Sequence, residues 1–512
     1  MSRVINNLLA GLMLIFMLGL AFFSMRDDSA IMDELAHLPA GYSYITQADM
    51  RLNPEHPPLI KDLAGASVWL WSKISGQTIV FPTQISAWQN DINGQWDFGG
   101  NFLYKQGNPT EPMIFWGRFP TLLILLILGI YIFKWTRELF GGSAGLLALF
   151  LYSFSPTFLA HGRFVTTDVA AAAAIFIASY YFIRWLKTPT KKNLIIAGLI
   201  FGLAQLAKFS VFMLIPLFGF IALVWIYLQT KNAPVDGQTL GKNIWHYLGG
   251  TILLMTIGYI FVVWPVYLWH TANYPIERQI RDTQFILGSF SPTFIPKFIG
   301  WLAGIPVLRA LAQYGFGLAM VLQRASGGNT TYFLGEVSAA GSQLYFPFVY
   351  LVKETITLHI FTIIALILAF IAFFKKKIYQ CKNLRQFLTD HMAEFLMLCF
   401  IAMYWASSIK SPLNIGVRHI LPTFPFIFLL VASQIKQWLQ TKNTHHNILK
   451  CFFIGLLLAW QAGSIASVYP SFLAYFNESI GGPKNGYQYA VDSNLDWGQD
   501  LKRLADWTEK NN

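Results

Sequence analysis

Two short stretches near the start of the chain hold the residue types that acid–base and phosphate chemistry need. In the first, Asp33, Glu34 and His37 lie close together. A short helix from Asp28 or Ser29 to Leu38 would set Asp33 and His37 on one face at i, i+4. A carboxylate beside an imidazole serves as a general base, a metal-ligand pair or a helix-stabilising pair, and the sequence alone leaves all three open. The second stretch holds Arg51, Asn53, Glu55, His56 and Lys61 around Pro54, Pro57 and Pro58. Proline suits the first turn of a helix. The apolar positions that follow (Leu59, Ile60, Leu63, Ala64, Ala66, Trp69 and Leu70) suit a helix lying in a membrane interface.

These residues have to be positioned by a largely apolar chain. Of 512 residues, 55% are hydrophobic and 12% charged, about half the charge of a soluble domain. Spanning helices need roughly 20 mostly apolar residues. The runs 8–24, 113–135, 143–160, 165–185, 194–207, 210–229, 244–269, 346–374, 393–408, 417–435 and 448–468 meet or approach that. The expected fold class is therefore all-α, a polytopic membrane protein with about eleven spans, the fifth and ninth runs being the shortest. The 1–468 region forms the membrane domain and 469–512 a tail. The apolar run after Arg3 reads as a first span that is not cleaved.

Charge then orients the bundle. Segments on the N-terminal side carry 17 Lys and Arg (among them Lys231 and Lys442) against Glu138, Asp236 and Asp390, which marks that side as cytoplasmic. The net charge of +12 thus reports topology first and does not imply nucleic acid. The opposite side holds the long segments 25–112, 270–345 and 469–512, and loops of such length are usually functional. The first carries ten acids and five Lys or Arg. Within 270–345, Trp301 to Gln323 reads as a second interfacial helix, with a flexible connector over 324–329 and a loop over 332–336.

Arg118, Arg163, Asp168, Lys208, Lys353, Glu354, Lys410 and Arg418 fall inside spans or at their outer ends. Ionisable groups there are costly unless paired or facing a wet cavity, so they mark a functional site. Lys410 and Arg118 are expected to snorkel to headgroups. Cys381, Cys399 and Cys451 are scattered without CxxC spacing, so neither a disulfide framework nor a zinc site is indicated.

Asp33-Glu34 ahead of His56-Pro57-Pro58-Leu59-Ile60-Lys61 resembles the protein O-mannosyltransferase and aminoarabinose-transferase group, glycosyltransferases of family 39 type. Further matches are Arg163 through Asp168, Lys208 after a small-residue-rich span, and Arg418-His419-Ile420-Leu421-Pro422. The tail from Val491 to Asp500 is similar to a bacterial branch of that group. The resemblance implies a GT-C fold with a site facing the periplasm or exterior of a bacterial inner membrane. It also implies transfer of a sugar, with inversion, from a polyprenyl-phosphate carrier to an acceptor hydroxyl on a protein, lipid or glycan. Asp33 would be the general base and Glu34 its helper or a structural neighbour. Arg163, Lys208 and Arg418 would stabilise the leaving phosphate, with Asp168 orienting Arg163. Arg51, His56 and Lys61 would contact phosphate or sugar. His37, Asn53, Glu55, His419, Asn494, Asp496 and Trp497 would contact substrate.

The residues agree with such a donor. Nucleotide sugars are cytoplasmic and no Gly-rich phosphate loop occurs, so an outward site needs a lipid-linked sugar. No cofactor is implied. A divalent metal stays open, because related folds differ and no clean ligand set stands out. A secondary transporter would hold its charges near the midplane of interrupted, repeated helices. A non-catalytic lipid- or sugar-binding subunit of the same fold is the other alternative.

Overall fold

The computed structural model describes residues 2–231, 237–440 and 444–511. Asp236 and Lys442, counted above for orientation, lie outside the described residues, as does the side chain of Lys231. Apart from a two-stranded hairpin pairing Thr331–Phe333 with Glu336–Ser338, where the sequence suggested a loop, the described chain is helical.

Among the described residues nine helices are long and apolar enough to cross a membrane: Arg3–Met25, Thr110–Phe140, Asp168–Lys187, Phe209–Thr230, Leu240–His270, Ile356–Lys375, Met392–Lys410, Val417–Leu439 and Asn447–Val468. The protein is thus an integral, multi-spanning membrane protein. Two of the eleven expected spans are shorter. The run 143–160 is split into Gly142–Ser153 and Pro156–His161. Ser155 caps the second piece by accepting from the Phe158 N–H, and Pro156 takes its first position. The run 194–207 is Lys191–Gln205, about 22 Å at 1.5 Å per residue. The run 346–374 is also divided, because Glu354 is extended and Thr355 caps a new helix, leaving Tyr345–Lys353 ahead of Ile356–Lys375.

The long segments fold into helical caps at one end of the bundle. The first contains Met32–Gln47, longer than the helix ending at Leu38 that the sequence suggested, and Leu59–Ser75. These two cross backbone against backbone. A Cβ on Gly41 would stand 1.9 Å from the Lys61 carbonyl oxygen, and one on Gly65 2.2 Å from the Gly41 carbonyl carbon. The crossing brings Asp33 and His37 towards the turn that carries Asn53, Glu55 and His56. The segment 270–345 supplies Ile276–Ile286, Phe294–Ala303 and Arg309–Gly327, where one helix and a flexible connector were expected. Arg324 belongs to the last turn of the third helix, not to a connector.

A cavity lined by paired charges

Beneath these caps lies a cavity of about 220 Å³ reached by residues from several segments far apart in sequence. Met32–Gln47 contributes Asp33 and His37, and the following turn contributes Asn53, Glu55 and His56. Lys208 precedes the turn Phe209–Met213, and Arg418 and His419 sit on the 3-10 turn Val417–Thr423. Asp168 opens the helix Asp168–Lys187, where the positive end of the helix dipole favours a carboxylate.

Arg418 is the hub. Its Nη1 donates to Asp33 Oδ2 at 2.9 Å and to Asp168 Oδ2 at 3.3 Å, and Nε donates to Ser493 Oγ at 3.1 Å. Trp497 supports the guanidinium from one face, 4.0 Å from its ring centre. Gly416 makes room for this contact, since its φ is +133° and a Cβ would strike the Ser493 hydroxyl at 2.2 Å. Lys208 Nζ donates to Asp168 Oδ1 at 2.6 Å. One buried carboxylate therefore fixes two cations, while Asp33, with 22% of its side chain exposed, faces the cavity. On another wall Glu55 pairs with Arg324, which also lines the cavity. His419 lines the cavity near Phe346.

Two imidazoles complete that wall, His37 buried and His56 partly exposed. His37 and His56 meet edge to face with ring centres 5.1 Å apart. Burial pushes His37 below its ordinary value, opposed by the Asp33 charge, and its Nδ1 lies 2.8 Å from the Val165 carbonyl oxygen. Burial holds His56 well below the usual range, reinforced by His37, Lys61 and Lys208. The cavity is thus walled by neutral rings beside the cationic cluster. Asp33 and His37 share a helix face as expected, but each takes its own partner.

Several residues named from sequence lie elsewhere. Glu34 is fully buried and bound by Nε and Nη2 of Arg118, at 2.8 and 2.7 Å, while accepting from the Val165 and Ile31 N–H groups. Arg118 therefore does not snorkel. Arg163 pairs with Asp28 at 3.0 Å rather than with Asp168. Both pairs are sealed from water, and neither lines the cavity. Arg51 is paired with Asp49 and stacked 4.2 Å over Trp88. Lys61 donates to Asn53 Oδ1 and to the carbonyls of Asn53 and His56, holding the turn from beneath. Asn494 accepts from the Val417 N–H at 2.9 Å and so braces the Arg418 turn from behind. Its carbonyl accepts from Lys353, as does that of Leu473. Asp496 accepts from the Gly498 N–H in an exposed turn.

The sequence reading passed over Gln95, Trp96, Ser210, Arg324, Tyr404, Ser407, Ser408 and Ser411, which also line the cavity. A signal existed for the serines: Ser407, Ser408 and Ser411 cluster at the end of an otherwise apolar run beside Lys410. Nothing local marked Gln95, whose amide oxygen accepts from Asn53. Among the described residues no group of three or more His, Cys, Asp or Glu could hold a metal ion.

The all-α, multi-spanning architecture is consistent with a fold of the GT-C type. The chain shares this fold with the apo oligosaccharyltransferase of Archaeoglobus fulgidus, at a TM-score of 0.50 and 13% identity. That match covers 100% of the chain but 59% of the archaeal protein. ArnT from Cupriavidus metallidurans bound to undecaprenyl phosphate aligns at 0.49 and 13%, over 92% of the chain and 66% of ArnT. The chain thus spans less than two thirds of either. The S. cerevisiae protein O-mannosyltransferase complex bound to the sugar donor aligns at 0.37 and 15%, over 51% and 34%. Residues 113–269 match the family described as dolichyl-phosphate-mannose-protein mannosyltransferase. No curated protein matches the chain by sequence.

Proposed function

We propose that the protein is a membrane glycosyltransferase that moves a sugar from a polyprenyl-phosphate carrier to an acceptor hydroxyl at the face of the membrane bearing the long loops. By the charge bias of its short loops, that face is the non-cytoplasmic one. The observation that carries this reading is the bridge made by Arg418 between Asp33, open to the cavity, and buried Asp168, which also holds Lys208. The family matched over 113–269, a region that includes Asp168 and Lys208, takes its name from a dolichyl-phosphate donor.

The chemistry follows from the charges. As the bond from anomeric carbon to phosphate oxygen breaks, negative charge grows on the leaving phosphate. Cations already fixed beside it stabilise that charge without reorganisation. Lys208 supplies a point charge and Arg418 a planar fork. Asp33, on the cavity side of Arg418, removes the proton from the acceptor hydroxyl as its oxygen bonds to the anomeric carbon. Attack opposite to the leaving phosphate inverts that carbon. The hydroxyl-bearing wall of Ser407, Ser408, Ser411 and Tyr404 offers hydrogen bonds to a sugar.

Mass spectrometry of lipid co-purified with the protein tests the donor. A polyprenyl-phosphate sugar retained by the native protein and lost with Lys208→Glu is the expected result. Equal retention of such a lipid by both proteins, or no polyprenyl phosphate with either, would overturn the donor assignment.

A further inference from the structure

The last helix of the described chain, Leu501–Asn511, buries none of its residues. Leu501, Leu504 and Trp507 follow at intervals of three and are 61%, 58% and 62% exposed, so they form one apolar flank. The helix is nevertheless tied down at its start. The Lys502 N–H donates to Ser29 Oγ at 2.7 Å, and the Arg503 guanidinium pairs with Asp28 at 2.7 Å and reaches the Ser24 carbonyl at 3.4 Å. Asp28 is itself buried and held by Arg163.

These contacts fasten the helix to the end of the span Arg3–Met25. That span exposes Leu8, Leu12, Ile15 and Phe23, the surface a spanning helix gives to lipid. A cleft of about 330 Å³ lies at the junction, lined by Met25, Phe115, Arg26 and Lys502 among others. Lys502 pairs there with Glu111 at 3.0 Å, and the apolar walls beside Arg26 match the boundary between acyl chains and phosphate headgroups. Tryptophan is enriched at that depth.

We propose that helix Leu501–Asn511 lies on the bilayer surface with Leu501, Leu504 and Trp507 in the acyl boundary. The tail is then a strap, held by lipid at one end and by Ser493 and Trp497 against Arg418 at the other. The proposal is independent of the transfer chemistry. It rests on the uncovered apolar flank of a helix that is fastened to the end of the first span, where the lipid-facing surface of that span ends.

Nitroxide labelling of the full chain tests it. Cys381, Cys399 and Cys451 are replaced by serine, the protein is placed in nanodiscs of phosphatidylcholine and phosphatidylglycerol, and one label is attached at Leu504→Cys, Trp507→Cys or Asp506→Cys. Collision with oxygen relative to a water-soluble nickel chelate is expected to be several-fold higher at 504 and 507 than at 506. Equal, water-like ratios at all three positions would overturn the proposal. So would labels at 504 and 507 shielded from both reagents and dipolar-coupled between copies, which would make the flank an interface with a second chain.

Discussion

Asp33 and Glu34 are neighbours on one helix, yet they enter two different electrostatic worlds. Successive helical residues point about 100° apart, so Asp33 faces the cavity and Glu34 the protein interior. Asp33 meets Arg418 with part of its surface in contact with solvent. Glu34 meets Arg118 with both side chains essentially inaccessible, and two backbone N–H groups complete its hydrogen bonds. The sealed pair resists rearrangement, because separating it strands a charge in a medium of low dielectric constant. The open pair can exchange partners with an arriving phosphate or hydroxyl. The same residue types thus form a sealed structural pair in one cluster and, on the proposed function, the reaction centre in the other.

Substitutions can break this contrast. Asp33→Asn should leave folding intact and lower sugar transfer on the order of 10²- to 10⁴-fold, the usual contribution of a positioned general base. A transfer assay beside thermal unfolding checks it, with exposed Asp97→Asn as control; undiminished transfer by Asp33→Asn would remove the base assignment. Glu34→Gln should do the reverse, costing about 3–5 kcal/mol of stability by leaving Arg118 buried without its counter-charge, read as a fall in unfolding midpoint. Lys208→Ala should reduce transfer roughly 10²- to 10³-fold through lost stabilisation of the leaving phosphate, with little change in midpoint.

The histidine wall gives a smaller effect. His37 and His56 have folded values below 6.5, so only the unfolded chain gains their protons as pH first falls through 6.5. Stability is then lost on the acid side by up to about 1.4 kcal/mol per pH unit for each group. His56→Asn should flatten that slope in unfolding measured from pH 7 to pH 5, and an unchanged slope would count against a neutral ring at that position. The smallest effect is expected for Trp497→Leu, which removes a cation–π contact worth about 0.5–2 kcal/mol. It should weaken transfer several-fold while the Asp33 and Glu34 variants keep their opposite signatures.

Much of this was legible in one dimension, for identifiable reasons. Hydrophobic runs of spanning length and basic short segments come from local transfer energies, so the membrane class and the loop-rich end could be read directly. Lys208 and Arg418 stood out because ionisable groups are rare at membrane depth, and Asp33 and His56 because they cluster with other ionisable residues in a long outer loop. Span bounds were less legible where Ser155-Pro156 and Glu354-Thr355 interrupt apolar runs, since the hydropathy of a run does not reveal a cap.

What only the tertiary structure decided was partnership. The family resemblance gave Asp168 to Arg163, but folding gives Arg163 to Asp28 and lets Asp168 hold Lys208 and Arg418. It also turned Trp497 and Asn494 from substrate contacts into supports for the Arg418 turn, and brought Arg324 to Glu55. The sequence by itself determined which charges would have to be compensated, because that cost is set by residue type and depth. Which charge compensates which depends on how the glycine-mediated crossing, the loop helices and the tail close over the bundle. Those contacts join residues hundreds of positions apart, and no local pattern records them.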